Sequence, residues 1–215
     1  MNKLNYGVNM NLTSKRKYFE KVYTPFGYVL AKANIPPNFI TFISIVLGMI
    51  SSYAYFKGKV ITGATFLFWS GIFDLCDGFV ARKNNKCTKF GAVVDWLADK
   101  WVDAWILGAI AFTYTNPYIA IWAISASMLH TFIKPVAYAE IGYEKRNKGK
   151  IIDPLENTGF FGRPETLMSV LLFSILERII PGSIKLGIYF IAIATTLSLG
   201  HRIYYLYKNY ASYEE

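Results

Sequence analysis

The sequence predicts an all-α integral membrane protein: six transmembrane helices preceded by an N-terminal amphipathic surface helix. Three observations carry this expectation. Hydrophobic residues make up 53% of the 215, with 16 Phe, 16 Tyr and 5 Trp, a content too apolar and too segmented for an ordinary soluble domain. Stretches able to cross about 30 Å of hydrocarbon, at about 1.5 Å per helical residue, recur along the chain. Basic residues are also distributed unevenly among the segments that join those stretches.

The elements follow in order. The first 35 residues are basic and broken by Asn, Pro and Gly, so no cleavable signal sequence is expected and the N-terminus stays on the side of synthesis. Within them Ser14 can cap a helix whose apolar positions Phe19, Val22, Tyr23 and Phe26 lie opposite Lys15, Lys17 and Lys21. Such a helix lies on a membrane surface; the alternative is a solvated basic arm. Thr24-Pro25 is expected to interrupt it, leaving a second short segment up to Ala33. Pro36-Pro37-Asn38 then opens the first span, and spans are expected near 38–56, 60–81, 91–114, 117–140, 165–181 and 184–206. Residues 141–164 read as a polar cytoplasmic loop, longer than a mere connection requires. No repeat or linker divides the chain, which is expected to be one domain: juxtamembrane residues 1–35, a core at 36–206 and a tail at 207–215.

With Lys100 and Lys134 set aside as intramembrane, seventeen basic residues fall on one side of the spans and four, Lys57, Lys59, Arg178 and Lys185, on the other. This asymmetry predicts a cell-membrane protein with both termini and the 82–90 and 141–164 segments in the cytoplasm. The net charge of +9 is spread over span ends instead of one soluble face, which favours anionic lipid over nucleic acid as a partner. Cys76 and Cys87 have no Cys or His neighbours at zinc spacing and are expected to be free thiols.

Chemistry concentrates between positions 74 and 99. Asp74, Asp77-Gly78, Ala81-Arg82, Gly91, Asp95 and Asp99 sit in otherwise apolar sequence. An intramembrane carboxylate costs roughly 2.5–3.5 kcal/mol on insertion scales, so four together call for cationic compensation. Residues three or four apart share a helix face, which pairs Asp74 with Asp77 and Asp95 with Asp99. The short 82–90 connection is expected to make the two helices antiparallel neighbours whose pairs converge. Four carboxylates without Cys or His make a hard oxygen site for magnesium, manganese or calcium, with charge enough for two ions. Gly78 and Gly91 leave room for a ligand to approach backbone, and Arg82 is a permanent cation suited to a diphosphate. Asp103, one turn further on, either extends the acidic face or pairs with Lys100.

These residues match every position of D-x2-D-G-x2-A-R-x8-G-x3-D-x3-D, and the chain thereby resembles the CDP-alcohol phosphotransferase family. Pro37-Asn38-Phe-Ile-Thr41 is similar to the family's opening of its first span, and six spans behind a surface helix resemble its architecture. The resemblance implies a transferase of phospholipid biosynthesis that moves a phospho-alcohol unit from a CDP-alcohol to a second alcohol and releases CMP. It implies Asp74, Asp77, Asp95 and Asp99 as ligands of Mg2+ or Mn2+, with Asp99 also the general base. It implies a CDP pocket formed by Asp74, Asp77, Gly78, Ala81, Arg82 and Gly91, and it suggests a homodimer. His130 and His201, the two histidines, lie far from the motif in sequence, and His130 reads as a packed residue.

A CDP-lipid donor, diacyl or archaeal ether, suits a membrane site. Lys134, Arg163 and Arg202 are the candidate acceptor-binding residues, and such cations favour an acceptor that carries its own phosphate. Inositol phosphate is the expected acceptor, with glycerol phosphate or serine as alternatives. Asp99-Lys100-Trp-Val-Asp103 and the two late arginines resemble the inositol-phosphate branch, whereas Val136-Ala-Tyr138-Ala-Glu140 departs from that branch's basic run. Two other classes remain open at this point: a polyprenyl-transferring membrane enzyme, which would release inorganic diphosphate, and a cation transporter, which would spread its carboxylates through the membrane depth.

Overall fold

The computed structural model describes residues 16–142, 146–147, 150–151, 155 and 158–211. The Ser14 cap lies outside them, as do the side chains of Lys15, Lys17, Phe19 and the charged loop residues Glu144, Lys145, Arg146, Lys148, Lys150, Asp153 and Glu156.

Seven helices follow one another: α1 (Arg16–Lys32), α2 (Pro37–Phe56), α3 (Val60–Lys83), α4 (Lys89–Tyr114), α5 (Pro117–Glu140), α6 (Arg163–Leu176) and α7 (Ser183–Tyr210). Between α5 and α6 a two-residue ladder pairs β1 (Arg146–Asn147) with β2 (Lys150–Ile151), antiparallel. Helix starts follow local chemistry. Pro37 and Pro117 occupy first helical positions, where a missing N–H is harmless. Thr88 and Asn116 cap α4 and α5 by accepting from the N–H groups of Gly91 and Ile119. The Glu177 carboxylate accepts from Gly182 and Ile184 N–H and so caps α7.

Four helices, α2, α3, α5 and α7, are long and apolar enough to cross a membrane. The helix α4 is long but carries Asp95, Asp99, Lys100 and Asp103, and α6 has 14 residues. At about 1.5 Å per residue α6 reaches about 21 Å, short of a bilayer's hydrocarbon. The expected segment at 165–181 is thus shorter as a helix, because the chain turns at Glu177 to cap the next one.

Two expectations are corrected. Pro25 does not interrupt α1: the helix runs through it, held against α3 by the fully buried Tyr23 and by Cys76, whose thiol donates to the Tyr23 carbonyl at 3.6 Å. Packing outweighs the proline's local cost. Nor are α3 and α4 packed neighbours. The helix α2 packs against both, and helix contacts close a ring in the order α3, α2, α4, α5, α7, α6 and back to α3, with α4 and α7 also touching across it. The second half of α3 and the first half of α4 therefore come together at their acids without packing along their lengths.

Small and hydroxyl residues draw the ring together. An added Cβ on Gly48 would stand 2.6 Å from a methyl of Val102, so α2 and α4 approach there as closely as glycine allows. Ser44 and Ser70 donate reciprocally to each other's carbonyls at 2.8 Å across α2 and α3, and Ser52 donates to the Trp105 carbonyl at 2.8 Å across α2 and α4. The apolar core, with Tyr55, Leu107, Ile110, Ile184 and Ile188, fills the ring below the acidic residues.

Candidate active site and metal centre

The site lies where α3, α4 and α6 meet. Asp74 and Asp77 come from the second half of α3, Asp95 and Asp99 from the first half of α4, whose start Thr88 fixes. One oxygen from each of Asp74, Asp95 and Asp99 lies within 4.8 Å of the other two. Asp77 is buried beside this trio and accepts a 2.5 Å hydrogen bond from Thr41 on α2. Thr41 thus joins the site as the support of an acidic residue. The signal for it was present in sequence, since Thr41 stands one turn after the proline that opens α2.

Arg163 enters from α6. Gly162 N–H donates to the Glu165 carboxylate at 2.8 Å, which starts α6 and aims Arg163 at the acids. Its Nη1 donates to Asp74 Oδ2 at 2.7 Å and lies 2.7 Å from Asp99 Oδ1, while its Nε is 3.5 Å from Asp103 Oδ1. Asp103 does both of the things open to it: it binds Lys100 at 2.7 Å and faces the site through Arg163. Lys100 also reaches Ser127 at 3.4 Å.

The residues present fit a divalent cation. Three carboxylates converge with no Cys or His in the cluster, and Asp99 Oδ1, although beside the guanidinium, is buried and accepts no well-formed hydrogen bond. Such a donor set suits Mg2+ or Mn2+.

The remaining candidates are placed as follows. Arg82, exposed at the end of α3, folds back over Gly78, where an added Cβ would meet its guanidinium at 3.2 Å. Ala81 and Gly91 are half-buried on the same two helices, and a Cβ on Gly91 would press on the Thr88 cap at 3.0 Å. Lys134 is half-buried one turn after His130 on α5. Arg202 is buried on α7, donating to the Thr158 carbonyl at 2.9 Å and to the His130 carbonyl at 2.5 Å.

Sequence reasoning missed the strap that carries Arg163 to the site. The expected polar loop ends in residues clamped to the bundle: Leu155 and Phe161 are buried, Ser198 accepts from Phe160 and Phe161 N–H, and His201 Nδ1 accepts from Gly159 N–H. Gly159, at φ +90°, leaves no room for a Cβ beside Ser198 and Arg202. Leu155, Phe160 and Phe161, three apolar residues in a polar stretch, were the available signal.

The site thus sets three carboxylates fit for a divalent cation and a buried arginine in a ring of helices, four of which are long and apolar enough to cross a membrane. The family model for CDP-alcohol phosphatidyltransferase matches residues 34–200, and the chain belongs to that family. It is 25% identical over 179 residues to the archaetidylinositol phosphate synthase of Pyrococcus horikoshii, covering 83% of this chain and 87% of the relative. It is 29% identical over 165 residues to the bifunctional IPC transferase and DIPP synthase of Archaeoglobus fulgidus, covering 76% of this chain and 32% of that one. Among solved structures, the Mycobacterium tuberculosis phosphatidylinositol phosphate synthase with CDP-DAG bound superposes with a TM-score of 0.73 at 22% identity, covering 91% of this chain and 98% of that chain. The same enzyme in complex with manganese and citrate gives 0.73 at 21%, covering 90% and 93%. At these identities the structural likeness establishes the fold. The protein is a multi-pass membrane enzyme, and the polyprenyl-transferring and transporter classes fall away with the family match.

Proposed function

We propose that this protein is a metal-dependent phospholipid-synthesising transferase that joins the phosphatidyl-type group of a CDP-lipid to inositol phosphate and releases CMP. One observation carries the reading: Arg163, a cation shaped to grip a phosphate, stands 2.7 Å from Asp74 and Asp99 in the same cluster that offers oxygens to a metal. A phosphorylated acceptor and a diphosphate donor would meet there. The names of the Pyrococcus and Mycobacterium relatives support the choice of inositol phosphate.

Asp74, Asp77, Asp95 and Asp99 would hold Mg2+ or Mn2+, in our reading two ions, and Thr41 would keep Asp77 in its rotamer. When bound, the metal supplies positive charge for the diphosphate oxygens. Gly78, Ala81, Arg82 and Gly91 line the cytidine diphosphate pocket, and Arg82 takes a phosphate oxygen. Arg163, with Lys134 and Arg202, receives the acceptor's phosphate; Arg202 also holds Thr158 and so the strap behind Arg163. Asp99 takes the proton of the acceptor hydroxyl as its oxygen bonds to the lipid-bearing phosphorus, and the bond from that phosphorus to the CMP oxygen breaks.

In this reading the chain is one domain, and all six helices of the ring span or enter the bilayer. The helix α1 lies along the cytoplasmic surface with Val22, Phe26 and Val29 exposed to lipid. Both termini face the cytoplasm, and the exposed Leu97, Trp101, Trp105 and Phe112 of α4 serve a homodimer. The test is CMP release by purified protein given a CDP-lipid and Mg2+ or Mn2+, with inositol phosphate, glycerol phosphate, inositol and serine offered singly. Release with inositol phosphate alone supports the proposal. Release with glycerol phosphate or serine instead reassigns the acceptor, and acceptor-independent diphosphate release rejects the reaction.

A further inference from the structure

Arg163 makes its two shortest ion pairs with Asp74 and Asp99, two of the three carboxylates that converge to hold a cation. Its side chain is one-fifth exposed, so the guanidinium is set into the cluster instead of hovering over it. Three carboxylate charges share this small space. A divalent ion and a guanidinium draw on the same oxygens, and each weakens the hold of the other. A second anchor is in place, because Asp103, which is not one of the three, holds its Oδ1 3.5 Å from Arg163 Nε while its Oδ2 accepts from Lys100 at 2.7 Å.

From this geometry we infer that Arg163 is an internal competitor of the metal: loading the cluster with a divalent cation moves its guanidinium off Asp74 and Asp99 onto Asp103, where it is free to grip a phosphate. The inference rests on the reading of the cluster as a metal site. Its consequence is an order of binding. Acceptor phosphate draws on an arginine that the carboxylates otherwise engage, so metal binding strengthens acceptor binding, and by linkage the acceptor strengthens metal binding by the same factor. A chain lacking metal would then hold the acceptor more weakly by that factor, so that an acceptor is seldom held beside a centre unable to use it.

The strap gives the movement a fixed pivot. Ser198, His201 and Arg202 hold residues 158–161 by backbone hydrogen bonds, and Glu165 holds Gly162, so the side chain moves while its backbone does not.

The experiment is Mn2+ affinity of the full-length detergent-purified protein, read from the electron paramagnetic resonance of free Mn2+, without substrate. Arg163→Gln is expected to bind Mn2+ roughly tenfold more tightly, within the range of about 5- to 150-fold usual for coupled sites. Arg163→Lys keeps the charge but loses the planar fork, and should bind more tightly by a smaller factor. Charge alone would also tighten binding in Arg163→Gln, so Asp103→Asn decides between the two. Removing the second anchor drives Arg163 back onto the cluster, and it should weaken Mn2+ binding several-fold more in the Arg163 chain than in the Arg163→Gln chain. Equal weakening in both, or Mn2+ affinity in Arg163→Gln and Arg163→Lys no tighter than in the parent, overturns the competition. If Arg163→Gln does not fold, Arg163→Lys against the parent, each with and without Asp103→Asn, decides by the same criteria. Absence of any Mn2+ binding overturns the metal-site reading and this inference together, whereas normal Mn2+ binding with unchanged variants overturns only the inference.

Discussion

At the scale of single residues, Asp99 joins three demands: it belongs to the converging trio, it faces Arg163 at 2.7 Å, and its Oδ1 is buried without a well-formed hydrogen bond. Asp99→Asn keeps the volume but removes both the charge and the base, so CMP release should fall by about 10²-fold or more. Size-exclusion chromatography of the variant should remain unchanged; CMP release within a few-fold of the parent would strip Asp99 of its assigned role. Thr41→Val keeps the shape but leaves a buried oxygen of Asp77 without its donor, a loss of roughly 1–3 kcal/mol. A lower melting temperature and weaker Mn2+ binding are expected, and unchanged values in both would mean that Asp77 needs no support. The acids were legible in the sequence because their chemistry and spacing are rare in apolar surroundings. Thr41 and Arg163 were less so, since each reaches the cluster from a different helix, and no spacing rule relates position 163 to positions 74 and 99.

At the scale of elements, helix contacts rest on small residues and hydroxyls. Gly48→Ala puts a methyl 2.6 Å from Val102 in a contact with no slack, an overpacking worth about 1–3 kcal/mol. The melting temperature in detergent should fall and be largely restored by adding Val102→Ala. If the pair is merely additive, α2 and α4 do not meet where the structure places them. The strap offers a second test at this scale. Gly159→Ala meets both a left-handed backbone and the Ser198 hydroxyl at 2.8 Å, so the 158–162 segment should lift. Its expected signature is a raised KM for the acceptor with Mn2+ binding not weakened, because the trio sits on α3 and α4 and not on the strap, and tightened to the extent that Arg163 lifts off Asp74 and Asp99. Helix boundaries were largely legible, since proline starts and apolar runs are local signals. The continuity of α1 through Pro25 was not, because the burial of Tyr23 against α3 outweighs the local penalty, and that burial is a property of the packed molecule.

At the scale of the whole molecule, the site's side of the membrane can be read from one cysteine. Cys76 is buried and Cys87 is exposed in the segment between α3 and α4, beside the motif. A membrane-impermeant maleimide should label Cys87 in inside-out vesicles and leave it unlabelled in right-side-out vesicles, with Cys87→Ser as the blank. The reverse pattern would place the site outside the cell, against the basic-residue asymmetry.

The sequence by itself determined the class of this protein: apolar runs of bilayer length, a lopsided distribution of Lys and Arg, and a complete acidic motif are all local in the chain, and local patterns survive without a fold. Only the tertiary structure decided which helices touch and which cation reaches the acids. It set α2 between α3 and α4, closed the ring through α6, and brought Arg163 to within 2.7 Å of Asp74 across 89 positions of chain. The physical reason is that these outcomes depend on side-chain packing and on a clamped strap, where Gly48, Ser198 and Arg202 act through neighbours that lie far from them in sequence.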